Sequence, residues 1–166
     1  MVKIALAMQE DFTDPGAVLT RMNRALYGRF ELAYVTAVFA RIGARGPRLA
    51  YASAGHPSPL LVRRDGRVEP LDERGIVLGL MPDAQYSTAI VPDLGPGDRL
   101  VLYTDGLTEA ERTDGEFFGD RELHRVLAAG RSQPVASFVT ALMGTTGEWV
   151  GGPFTDDVTV VAVDWS

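Results

Sequence analysis

The sequence of 166 residues predicts an α+β fold in which helix layers cover an antiparallel sheet core. Three observations predict it. Apolar residues near the N-terminus recur at helical spacing. From Ala33 to Thr104, short β-rich runs alternate with turn residues. After Asp105, helical spacing returns and gives way to one last apolar run, residues 158–165.

Taken in order, Ile4, Ala5 and Met8 share one side of a first helix that starts at Met1 without an N-cap residue. A second helix has Asp14 as N-cap, Pro15 at its first position, core-spaced Val18, Leu19, Met22, Ala25 and Leu26, and Gly28 as terminator. Both are expected to pack on a sheet. Strands are expected over residues 34–42, 48–53 and 60–64, with Asp65-Gly66 turning the chain tightly into Val68. Residues 86–91 and 99–104, joined by Asp93-Leu-Gly-Pro-Gly-Asp98, complete an antiparallel meander apolar enough to be covered largely on both faces. Residues 120–129 form a helix with Leu123, Val126 and Leu127 on one face and Gly130 at its end. Pro134 opens another, with Val135, Phe138, Val139 and Leu142, before a Gly-Gly-Pro loop and the final strand.

Composition limits the function classes. A 46% hydrophobic chain of this length can bury one substantial core, so a single domain spanning residues 1–166 is expected. A net charge of -6 argues against a nucleic-acid binder, because phosphate backbones are held by clustered Lys and Arg. With no cysteine, thiol nucleophiles, disulfides and zinc-thiolate sites are excluded. The first ten residues lack the apolar core of a signal peptide, and no run approaches the roughly 18 apolar residues of a membrane span. No membrane partner and a cytoplasmic location are expected.

Three places could carry chemistry. Asp105 ends the apolar run Leu100-Val-Leu-Tyr103, where burying a carboxylate is costly without a cation or several donors. Gly106 after it permits a sharp turn or the close approach of a ligand. The competing reading is an Asx-type turn. Asp156 and Asp157 adjoin each other before a central-looking strand, and a divalent cation would remove their repulsion; a plain solvated turn is the alternative. Oxygen donors of this kind favour Mg²⁺ or Mn²⁺ over Zn²⁺. Third, His56 follows Gly55 in the rigid Gly-His-Pro-Ser-Pro loop, where it could ligate a metal, act as a general acid, or brace the loop.

Six motifs occur in order: Tyr34-Val-Thr-Ala-Val-Phe39, Leu49-Ala-Tyr-Ala-Ser-Ala-Gly-His-Pro-Ser-Pro-Leu-Leu61, Gly75-Ile-Val-Leu-Gly79, Pro96-Gly-Asp-Arg-Leu-Val-Leu-Tyr-Thr-Asp-Gly-Leu-Thr-Glu-Ala110, Phe117-Phe-Gly119 and Asp156-Asp-Val-Thr159. Together they resemble the stage II sporulation protein E family, a bacterial branch of the metal-dependent PPM-type serine/threonine phosphatases. The resemblance implies an antiparallel β-sandwich flanked by helices in an α-β-β-α arrangement. It implies hydrolysis of phosphoserine or phosphothreonine at a Mn²⁺ or Mg²⁺ centre, with a metal-bound water and no side-chain nucleophile. Asp105 and Asp156 fall on the family's aspartate ligands, and Asp157 is the lesser of the pair; Gly106, Gly55 and His56 are expected beside the site. The implied substrate is a phosphorylated regulatory protein of the anti-sigma-factor-antagonist type, with a sensor or receiver domain upstream.

The family's early acidic motifs have no counterpart here, so the chain is expected to be an N-terminally truncated, C-terminal part of the full fold. Weak metal affinity follows, because Mg²⁺ prefers about six oxygens, and phosphatase chemistry is expected to be incomplete in this chain by itself. Lost strands would expose a sheet edge and favour a homodimer. A catalytically inactive pseudophosphatase or scaffold that binds a signalling partner, and a small metal-free ligand-binding domain, are the competing expectations.

Overall fold

The computed structural model describes residues 12–29, 34–43 and 48–166. The helix expected around Ile4, Ala5 and Met8 lies outside the described residues. In chain order the elements are α1 (Pro15–Leu26), β1 (Ala37–Ile42), β2 (Leu49–Ala54), β3 (Leu60–Val62), β4 (Val68–Pro70), β5 (Ala89–Val91), β6 (Arg99–Tyr103), α2 (Gly119–Ala129), α3 (Val135–Val150) and β7 (Val160–Asp164), with a 3-10 turn at Asp105–Leu107. They fall into two compact units. One comprises Met1–Ser58 and Asp72–Leu94, the other Pro59–Leu71 and Gly95–Ser166.

In the first unit, α1 begins as its sequence dictates. The Asp14 carboxylate accepts a hydrogen bond from the Ala17 amide at 3.2 Å, and Pro15, which has no amide proton to satisfy, takes the first position. Val18, Leu19, Met22 and Leu26 are buried and pack with Ala52, Ala54, Leu78 and Tyr86. Each such side chain removed from water contributes about 1.5–3 kcal/mol. Gly28, with φ +68, turns the chain away. The antiparallel sheet has the order β1-β2-β5, with Ala37 opposite Ala54 and Leu49 opposite Val91. Its central strand β2 is buried along its whole length.

The expected strand 86–91 shortens to Ala89–Val91 for a local reason. The Tyr86 amide donates to Thr20 Oγ1 at 3.2 Å and the Gly16 amide to Thr88 Oγ1 at 2.7 Å, so residues 86–88 lie against α1 instead of joining the ladder. Tyr86 is a core aromatic, not a strand residue. β1 also starts later than expected, Val35 making only an isolated bridge to Leu78.

The second unit holds a four-stranded antiparallel sheet of order β4-β3-β6-β7. Gly66, at φ +94, closes the expected β3–β4 hairpin, and Asp65 Oδ1 accepts from the Arg67 amide at 3.0 Å. The expected meander from β5 to β6 does not form: the two strands belong to different sheets. Asp98 explains where β6 goes. Its buried carboxylate accepts from the amides of Gly95 at 3.2 Å and Arg64 at 3.0 Å and from the Arg63 guanidinium at 3.1 Å, docking the start of β6 on the β3–β4 hairpin. β6 then pairs with β3, Leu100 opposite Leu61.

Helices α2 and α3 contribute Leu123, Leu127, Phe138 and Leu142 to a core shared with Val62, Val101, Tyr103 and Leu107. Arg99, whose side chain is 4% exposed, enters this core as a cation. It pairs with Asp164, donates to the Gln133 carbonyl at 2.8 Å, and lies 4.1 Å from the centre of the Phe138 ring. Among the described residues no helix is long and apolar enough to cross a membrane.

Candidate metal centre

The β6–β7 ladder runs to Tyr103 opposite Val160 and then opens. One residue on, the Thr104 amide still donates to the Thr159 carbonyl at 3.1 Å, but the Thr104 carbonyl turns to accept from Leu107 at 3.0 Å and starts the 3-10 turn. Asp105 is the first residue of that turn, and its carbonyl is held by the Glu109 amide at 2.8 Å and the Thr108 hydroxyl at 3.1 Å. Across the opening, the Thr104 hydroxyl donates to the Asp157 carbonyl at 3.0 Å and accepts from the Thr159 amide at 2.9 Å.

Asp105, Asp156 and Asp157 are all exposed, so none of the three bears the burial cost weighed for a carboxylate at the strand end. The chain leaves the sheet before Asp105, so its carboxylate keeps its hydration. Its Oδ1 accepts from the Gly106 amide at 3.1 Å, and Asp156 Oδ1 accepts from the Asp157 amide at 2.7 Å. Each bond runs to the very next amide, not to the one two residues on that defines an Asx turn. In each residue Oδ2 carries no hydrogen bond to the described residues. β7, which follows Asp157, is the terminal strand of its sheet among the described residues, not a central one.

Gly106 joins the two acidic turns. It is buried, and a Cβ built on it would lie 2.7 Å from the Asp157 carbonyl oxygen and 3.5 Å from Asp156 Cβ. Space, rather than an unusual φ, is what requires glycine there. Gly55 and His56 belong to the first unit, at the end of β2. Gly55 has φ +65 and donates to the Gly75 carbonyl at 2.7 Å; a Cβ there would meet Val77 Cγ1 at 2.4 Å. His56 is half-buried with Nδ1 3.0 Å from the Pro57 carbonyl, a contact that braces the loop.

The donors fit a hard cation in kind: carboxylates with an open oxygen on Asp105 and Asp156, and no sulfur or clustered imidazole. Among the described residues no three His, Cys, Asp or Glu side chains converge into a complete cage. A cation held here would complete its shell with water. Tyr103, next to the site in sequence, is no acid-base group near neutrality, since burial, aided by the Asp120 charge, pushes its phenol up to about 12. Thr104 is the residue that sequence reasoning missed. Its signal is a hydroxyl placed between the last ladder residue and the acidic turn.

Antiparallel sheets carrying helix layers define an α+β fold of the PP2C type. The SiaA-PP2C domain of Pseudomonas aeruginosa matches the chain with a TM-score of 0.83 at 27% identity, covering 99% of this chain and 65% of that one. The chain belongs to the family described as Stage II sporulation protein E (SpoIIE), which it matches over residues 1–166. Two curated relatives are similar to it over 130 residues each: Protein IcfG of Synechocystis sp., 29% identical, and phosphoserine phosphatase RsbU of Bacillus subtilis, 30% identical. The matches cover 78% and 76% of this chain but only 20% and 38% of those proteins.

Proposed function

We propose that the chain acts as a single PPM-type domain, residues 1–166, that hydrolyses phosphoserine or phosphothreonine on a regulatory protein in a metal-dependent reaction. One observation carries the reading: within a phosphatase family fold, Gly106 brings the Asp105 turn against the Asp156-Asp157 loop, leaving an open carboxylate oxygen on each of Asp105 and Asp156. Bound Mn²⁺ or Mg²⁺ would supply positive charge for the phosphoryl oxygens and an activated water. Asp105 and Asp156 hold the cation, with Asp157 the lesser ligand. Gly106 maintains their approach, and Gly55 and His56 shape the loop that follows β2. No side chain serves as nucleophile.

Similarity to a phosphoserine phosphatase supports a phosphoserine-bearing substrate; in this reading the substrate is a phosphorylated protein of the anti-sigma-factor-antagonist type in a bacterial cytoplasm. An upstream sensor or receiver domain would control it, and two copies would associate as a homodimer. The test is turnover of a phosphoserine peptide by the purified chain with excess Mn²⁺. Activity that Asp105→Asn abolishes supports the reading. Tight capture of a phosphorylated antagonist without turnover, in this chain and in one extended upstream, would replace it with the scaffold reading.

A further inference from the structure

We infer that Thr104 is a positioning residue for the cation: its hydroxyl locks the Asp156-Asp157 loop in register with Asp105. The inference rests on the metal-dependent reading above and deepens it by assigning a neutral side chain that itself holds no cation.

The reasoning starts from the ladder. In a continuing antiparallel pair, the Thr159 amide would donate to the Thr104 carbonyl. That carbonyl is already committed to Leu107 at 3.0 Å, because the chain must turn there to present Asp105. The hydroxyl takes its place, accepting from the Thr159 amide at 2.9 Å, and its own proton goes to the Asp157 carbonyl at 3.0 Å. One side chain therefore satisfies a donor and an acceptor of the acidic loop while the backbone of the same residue launches the opposing turn. The Asp157 carbonyl is also the atom that Gly106 approaches. The loop is fixed at one point by two residues just beyond β6, Thr104 and Gly106.

Where the effect should appear follows from exposure. Both hydrogen bonds lie at the surface, so water replaces them when the hydroxyl is removed, and the cost to global stability is small. Position is what water cannot replace. Groups that orient metal ligands change metal affinity by roughly ten- to hundred-fold when removed. Valine keeps the shape of threonine without the hydroxyl, and serine keeps the hydroxyl.

The experiment measures Mn²⁺ binding to the whole chain by the electron paramagnetic resonance of free Mn²⁺, for wild type, Thr104→Val and Thr104→Ser. Amide hydrogen exchange without metal is followed in parallel. The expected result is roughly ten-fold or greater weakening of Mn²⁺ binding in Thr104→Val, faster exchange at the Thr159 amide, an unfolding midpoint close to wild type, and recovery of both properties in Thr104→Ser. Equal Mn²⁺ affinity in wild type and Thr104→Val would overturn the positioning role and leave the metal reading standing. Loss of binding in both Thr104→Val and Thr104→Ser, together with a lowered unfolding midpoint, would also overturn it in favour of a general structural role. Wild type that binds no Mn²⁺ would remove the metal reading and this inference with it.

Discussion

Gly106 passes so close to Asp157 that a Cβ on it would stand 2.7 Å from the Asp157 carbonyl oxygen. The obstructing atom belongs to the backbone and cannot rotate away, so Gly106→Ala must push the 3-10 turn and the acidic loop apart. Overpacking of this kind costs about 1–3 kcal/mol. Chemical denaturation should show that loss, and a Mn²⁺ titration should show a larger proportional loss of metal binding than of stability. Unchanged stability would mean that the loop moves freely, and the joining role of Gly106 would be withdrawn.

Asp98 makes stability depend on acid. Burial raises its carboxyl, but the amides of Gly95 and Arg64 and the Arg63 guanidinium outweigh that and hold it below the ordinary 3.8. A carboxyl depressed by folding contributes stability that is fully present above its unfolded value and lost as pH falls through the folded one. The window therefore opens below about pH 4 and closes under the folded value. Asp98→Asn should lower stability by about 1.5–3 kcal/mol at pH 7, the range for hydrogen bonds to a charged group. It should also flatten the acid limb of the unfolding curve below pH 4. An acid limb of unchanged slope in the variant would show that other carboxylates control it.

At Arg99 the decisive feature is the shape of the cation. Its guanidinium reaches Asp164 through two nitrogens, at 2.5 and 2.9 Å, reaches the Gln133 carbonyl at 2.8 Å and covers the Phe138 ring. Lysine preserves the charge but offers no planar fork and no flat stacking surface. Arg99→Lys should cost about 1–3 kcal/mol. In Asp164→Asn the same substitution should cost less, since the pair then contributes little; equal costs in both backgrounds would assign the effect to the Gln133 carbonyl bond and the packing on Phe138.

Legibility in the sequence follows the range of the interactions. α1 was readable because its start depends on neighbours: Asp14 caps the Ala17 amide three residues away. The hairpin at Gly66 is local in the same sense. The path from β5 to β6 was not readable, because order along the chain does not say which strands pair, and the buried Asp98 carboxylate that docks β6 on the β3–β4 hairpin has partners 34 and 35 residues away. Tyr86 misled for a related reason: a β-favouring aromatic next to a strand can equally fill a core. Asp105 and Asp156 stood out as acids at strand ends. Thr104 did not, since its hydroxyl acts on Thr159, 55 positions away, and nothing in a lone threonine announces that.

Two helical glycines should respond to alanine with opposite signs. Propensity alone favours alanine over glycine by about 1 kcal/mol inside a helix. Gly144, within α3, has no atom within 4 Å of a built Cβ, so Gly144→Ala should stabilise by up to that amount. Gly16, within α1, would place its Cβ 2.3 Å from the Tyr86 carbonyl oxygen and 2.9 Å from the Ser87 carbonyl carbon. The overpacking cost of about 1–3 kcal/mol then exceeds the propensity gain, and Gly16→Ala should be net destabilising. The Gly16 amide also donates to Thr88 at 2.7 Å, so relief by shifting α1 would break the contact that keeps residues 86–88 out of the sheet. Thermal unfolding of the two variants side by side reads the difference in sign. A stabilising Gly16→Ala would show that residues 86–88 do not lie against the start of α1.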